Sequence, residues 1–214
     1  NSAKMLLMFN RVVLGLTGTM SEDTEKILAL ELGMKTCAYY PINKAIEEGV
    51  VTDYQITVFK VPLDNKETGM FKRPERTEKK QFQALSWVIN KKQQEGGDTM
   101  FLRLSRMRII QNSIAKKYKT IDILNKNRSK RALVFCGTIK IAESLGITAF
   151  HSKSKDKTIF EEFAAGRGDN HLAVVKIGNS GITYKPLDFV IINYFDSNGE
   201  NLAQKINRCM GMEY

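Results

Sequence analysis

The chain has 214 residues, 43% of them hydrophobic, which suits a packed globular core, either one large domain or a domain with part of another. Its 33 Lys and Arg against 23 Asp and Glu give a net charge of +10, favouring a polyanionic partner, nucleic acid first, beside the plainer reading of a solvated basic surface. Cys37, Cys136 and Cys209 lie far apart without CxxC spacing, so no metal site is expected, and no apolar run is long enough for a membrane helix.

The chain begins at Asn1 and soon reaches a strand-like run, Arg11 to Thr17, which reads as a cut beginning. That run ends in the turn Thr17-Gly18-Thr19. A helix should follow: Ser21 can cap it, Glu22, Asp23 and Glu25 favour its positive end, and Ile27, Leu28, Leu30 and Leu32 form an apolar stripe up to Gly33. Residues 36–40 read as a short strand, 41–48 as a helical turn closed by Gly49, and 54–63 as a strand of alternating character. From Asp64 to Lys80 the composition becomes charged and Pro/Gly-containing, as in a linker or surface loop.

Two helices are expected next, one over 78–94 stopping at Gly96-Gly97, and a longer one over 99–125. The longer helix carries Met107, Ile110, Ile114, Tyr118, Ile121 and Leu124 at helical spacing, a packing stripe. The last third alternates short apolar runs with helix-like segments: 131–136, 139–145, 148–150, 157–165, 171–177, 187–194 and 202–210. Continuous apolar strands such as Leu133 to Phe135 and Phe189 to Ile192 imply a parallel sheet with helices on both faces, an α/β class. Cys136 sits within one such run, where a buried reduced thiol and a cytoplasmic compartment are expected.

In such a sheet functional loops lie beyond the carboxyl ends of the strands. Those loops here are Cys136-Gly-Thr138, His151-Ser-Lys153-Ser, Gly178-Asn179-Ser-Gly181-Ile-Thr183 and Asp196-Ser-Asn-Gly199. Small and hydroxyl residues let backbone N–H groups approach phosphates, and Lys153 and Lys176 add charge; ordinary loops have the same composition. Gln204 and Arg208, four residues apart, share one face of the final helix.

The order of these segments resembles superfamily 2 helicases, in their phage and restriction-enzyme-like branch. Leu14-Gly-Leu-Thr17-Gly18-Thr19 is similar to motif III, Arg131-Ala-Leu-Val-Phe-Cys-Gly-Thr138 to motif IV, and His151-Ser-Lys-Ser to the loop after the next strand. Val174-Val-Lys176-Ile-Gly178-Asn179-Ser-Gly181-Ile-Thr183 is similar to motif V, and Gln204-Lys-Ile-Asn-Arg208-Cys-Met-Gly211 to motif VI.

The resemblance implies a RecA-like, P-loop NTPase-type parallel sheet with a helical insertion before the second lobe. Residues 1–35 would close the first lobe, 36–130 would hold connecting strands and helices, and 131–214 would form the second lobe. It also implies that Arg208 acts as an arginine finger beside Gln204, and that Gly178, Gly181 and Thr183 approach the nucleotide. Thr138, His151, Lys153, Lys176 and Asn179 would line the nucleic-acid track, and Thr17, Gly18 and Thr19 would couple the two sites. ATP and Mg2+ would be bound mainly by a first lobe, because no GxxxxGK[ST] or Asp-Glu pair of a Walker B box occurs in these residues.

DNA rather than RNA, a monomer, no membrane and a cytoplasmic location, in the host if phage-encoded, complete that expectation. Two positions depart from the pattern: Gly211 stands where motif VI usually ends in a second arginine, and Thr183 where motif V usually has an acid. Arg106 or Arg108 could compensate, or a residue past Tyr214, or the protein could be a degenerate relative, a non-catalytic nucleic-acid-binding or annealing module. A metabolic Rossmann-like enzyme is disfavoured, since no GxGxxG follows a strand.

Overall fold

A computed structural model describes residues 20, 22–50, 53–64, 77–175, 184–194 and 205. Contacts divide the chain into two compact units, Asn1–Tyr54 with Asp196–Tyr214, and Gln55–Phe195.

In the first unit, helices α1 (Glu22–Leu32) and α2 (Ile42–Glu47) form where expected. Gly33, at φ +64°, ends α1, and the Met34 N–H reaches back to the Leu28 carbonyl at 3.2 Å, a chain reversal through a left-handed residue. The stripe on α1 buries none of its members, and Leu30 is 86% exposed. The strand expected over 36–40 does not form, since no described strand pairs with it; the Thr36 hydroxyl instead donates to the Glu25 carboxylate.

In the second unit the alternating run 54–63 is likewise not a strand. Apolar and polar positions alike are exposed over 54–60, as at Ile56, Val58 and Phe59, with only Val61 and Leu63 half-buried, so little rewards the pleat. Helix α3 (Glu78–Gln94) starts at Thr77, whose Oγ1 accepts the Lys80 N–H at 3.3 Å, and it buries Glu78, Gln81, Leu85 and Ile89 at helical spacing.

The single helix expected over 99–125 is two helices, α4 (Met100–Gln111) and α5 (Ile114–Lys126). The break has a polar cause. Ser113 leaves the helical region at φ −57°, ψ 127° and does not cap α5 itself. The buried Glu78 carboxylate does so instead, accepting the Ser113 hydroxyl at 3.1 Å and the Ile114 N–H at 3.2 Å. A carboxylate at a helix N-terminus satisfies orphan donors and meets the positive end of the dipole.

The remaining elements are β1 (Ala132–Cys136), α6 (Ile139–Glu143), β2 (Thr148–Phe150), α7 (Thr158–Ala164), β3 (His171–Val175) and β4 (Phe189–Ile192). They confirm the alternation read in the last third, with slightly shorter bounds. All pairings are parallel in the order β2-β3-β1-β4, with Val134 opposite Ala173 and Ile191.

Alternate residues of β1 face opposite ways. Ala132, Val134 and Cys136 pack with Leu124, Ile141, Ala142 and Leu145 beneath α5 and α6. Leu133 and Phe135 pack with Phe150, Phe160, Phe163 and Tyr184 on the α7 side. Helices therefore cover both faces, and β1, buried at all five positions, is the centre of the core. The expected strand 11–17, most of the loop 64–80 and most of the helix 202–210 lie outside the described residues; Lys205 of that last segment is helical and buried.

Candidate nucleic-acid interface at the strand exits

Because every strand is parallel, the exits of β1, β2 and β4 lie along one rim of the sheet. At the β1 exit, Thr138 caps α6: its Oγ1 accepts the Ile141 N–H at 3.3 Å while its hydroxyl donates to Asn112 Oδ1 at 3.2 Å. The half-buried hydroxyl thus ties β1 to the α4–α5 junction. Gly137 lets the same loop run close to the β4 exit, since a Cβ there would stand 3.2 Å from the Tyr194 Cβ.

At the β2 exit, His151 and Lys153 have different surroundings. His151 is 9% exposed, and its backbone N–H donates to Ser154 Oγ at 3.0 Å. Its Nδ1 accepts the Lys153 N–H at 3.3 Å, which assigns the ring proton to Nε2, 3.3 Å from Glu143 Oε1. The ring is a strut inside the turn, and Lys153 is the exposed cation that this turn presents. Thr138 and His151 hold opposite ends of α6, through its cap and its last residue, Glu143.

Other expected site residues lie outside the described ones: Thr17, Gly18, Thr19, Lys176, Gly178, Asn179, Gly181, Thr183, Gln204 and Arg208. Of the two arginines suggested as compensating, Arg106 donates to Ser86 Oγ at 3.2 Å and lies over the Phe82 ring at 5.4 Å, clamping α4 to α3. Arg108 is exposed.

A polar cluster at the β4 exit escaped the sequence reading. Asn193 is 4% exposed; its backbone N–H donates to the Phe135 carbonyl at 2.9 Å, its side-chain amide donates to the Thr120 hydroxyl, and its backbone carbonyl accepts the Lys116 ammonium at 3.3 Å. Lys116 and Thr120 are one turn apart on α5, so this helix grips the strand end at two points. The only advance signal was Asn112-Ser113 within an otherwise helical stretch, residues that compete for backbone hydrogen bonds and favour a break.

Burial pushes the Lys116 ammonium down to about 8 from 10.5, against the opposing influence of Cys136 and Glu78. It also pushes the Cys136 thiol up to about 12 from 9.0, with Lys116 pulling the other way. Between pH 8 and 9 the unfolded chain holds one proton more than the folded one, on Lys116, so stability should rise with pH. From 9 to 10.5 the unfolded chain has lost the thiol proton and the two states match, so this pair contributes no slope. Above 10.5 the folded state keeps the extra proton on Cys136 and stability falls. Denaturation midpoints across this range check the profile, and Lys116→Met should lose the rise between pH 8 and 9.

Among the described residues no three His, Cys, Asp or Glu side chains are grouped to hold a metal ion, and no helix is long and apolar enough to cross a membrane. The family model described as the helicase conserved C-terminal domain matches residues 115–212. The solved Pyrococcus furiosus Hef helicase domain is similar at 19% identity and a TM-score of 0.35, covering 61% of this chain. The match covers 33% of that structure's chain, so this chain spans about a third of it. No curated protein matches the sequence.

Proposed function

We propose that the chain is part of an ATP-dependent nucleic-acid helicase or translocase and supplies its second RecA-like lobe, preceded by the end of the first. One observation carries the reading: the stretch similar to the helicase C-terminal domain, 115–212, contains all four described strands of the parallel sheet, and their exits lead into the segments resembling motifs IV, V and VI in order. In the proposed organisation residues 1–35 belong to the first lobe, 36–130 connect, and 131–214 form the second lobe. This is the phage-like branch, acting as a monomer on DNA in the cytoplasm.

Arg208 reaches toward the γ-phosphate with Gln204 beside it, and Gly178, Gly181 and Thr183 approach the nucleotide. Thr138, Lys153, Lys176 and Asn179 meet the strand, with the buried His151 ring fixing the turn that presents Lys153. Thr17, Gly18 and Thr19 couple the two sites. ATP supplies the driving hydrolysis, and its phosphates and Mg2+ are held mainly by a first lobe with its own phosphate loop.

The test is ATP hydrolysis by the complete gene product, with and without single-stranded DNA. Stimulated turnover supports the motor; a complete gene product with no phosphate loop overturns it. The 214-residue chain alone should show no turnover, because a finger without a phosphate cradle has no transition state to stabilise. Gly211 and Thr183, where the family pattern has an arginine and an acid, favour a second reading, a non-catalytic binding or annealing module. That module would bind DNA with steep salt dependence and indifference to ATP.

A further inference from the structure

The positive charge is not spread along the chain. Of 33 Lys and Arg and 23 Asp and Glu, residues 77–131 hold 14 and 4, and the rest of the chain holds 19 of each. The helical segment α3 to α5, ending where β1 begins, therefore carries the entire excess of +10.

On α3 the buried positions Leu85 and Ile89 face inward, and Lys80, Ala84, Trp87 and Lys91 form an exposed stripe on the opposite side. Trp87 is 65% exposed, and the Lys91 ammonium stands 5.6 Å from its ring centroid. Lys92 is exposed too, but it continues the Leu85–Ile89 side past its last buried position and is not part of this stripe. A single exposed apolar residue is ordinary. An exposed indole between lysines, in the segment that holds all the excess charge, offers a polyanion both of its attachments: ammonium groups for phosphates and a flat ring for bases.

We propose that the solvent face of α3 is a docking surface for single-stranded nucleic acid, with Trp87 as a stacking platform and Lys80 and Lys91 meeting phosphates. It rests on the nucleic-acid reading above but places a contact outside the strand-exit loops, on the helical segment. Single strands are the occupant because a base must be unstacked from its neighbours to lie on the indole; duplex phosphates would use the lysines alone.

Trp87 is the chain's one tryptophan, so its fluorescence reports this surface without interference. The 214-residue chain is titrated with a labelled oligo-dT strand at several salt concentrations, reading anisotropy and tryptophan emission together. Binding should quench the emission, and a hairpin duplex of equal length should quench it much less. Trp87→Ala should weaken oligo-dT binding about ten-fold. The combined Lys80→Glu and Lys91→Glu variant should lower the log–log salt slope by about 1.4, the share of two phosphate contacts on a single strand. Thermal melts of these surface variants should match the parent chain.

Oligo-dT binding without quenching, and unchanged in both variants, overturns the α3 surface and leaves the helicase reading standing. Equal quenching by the duplex overturns the stacking role. No binding of the parent chain at low salt removes both this proposal and the nucleic-acid reading.

Discussion

In the complete gene product, Arg208→Ala should reduce DNA-stimulated ATP hydrolysis by about 10³-fold or more, the scale of a lost arginine finger. The guanidinium acts at the transition state, where charge gathers on the transferred phosphoryl oxygens, so the loss should fall on kcat and leave DNA affinity nearly unchanged. Arg208→Lys should recover little, because an ammonium lacks the planar fork that meets two oxygens at once. Gln204→Ala should cost less, its amide being neutral. An Arg208→Ala protein that still turned over within ten-fold of the parent would remove the finger assignment. Activity in the parent would also show that Gly211 is tolerated where the family pattern has a second arginine. If neither protein hydrolyses ATP and both bind DNA, the non-catalytic module is the better reading.

The sheet was legible because its strands are buried on both faces. Leu133 to Phe135 and Phe189 to Ile192 are continuous apolar runs, and their shortness and β-branched and aromatic content mark them as strands where helical segments separate them. Residues 54–63 misled for the converse reason: alternation is what a half-buried strand needs, but a strand also needs a neighbour, and neighbours are not encoded locally. The loops of the candidate site were legible where one followed a strand, as at Thr138 and Lys153. It was illegible where the important contact joins distant positions, as between Lys116 and Asn193 or Thr138 and Asn112. His151 illustrates the limit within one residue: the loop could be read from sequence, yet the burial of the ring depends on Glu143 and Ser154 closing around it.

The largest stability loss from a single polar side chain should come from Glu78→Ala, about 3 kcal/mol. Glu78 is 1% exposed, and its two carboxylate oxygens accept the Ser113 hydroxyl and the Ile114 N–H. Alanine leaves both donors without this acceptor and opens a small void. Bonds to a charged acceptor are each worth about 1.5–3 kcal/mol net, and a lost helix cap is commonly about 1. Against this stands the cost of burying a carboxylate, which lessens the net worth of the arrangement but is not recovered when the donors are left behind.

A loss of that size should lower the melting temperature by about 10 °C in a chain of this length. Glu78→Gln, which keeps one oxygen for Ile114, should lose less than half as much, and Ser113→Ala, which leaves the Ile114 bond intact, less again. The effect should also travel. α5 starts at this cap and carries Lys116 and Thr120, which hold Asn193 at the β4 exit. Amide exchange at Asn193, whose N–H is bonded to the Phe135 carbonyl, should therefore speed up in Glu78→Ala beyond what the global loss explains. Unchanged relative protection at Asn193 would mean that the cap stabilises α5 alone and does not set the strand exit.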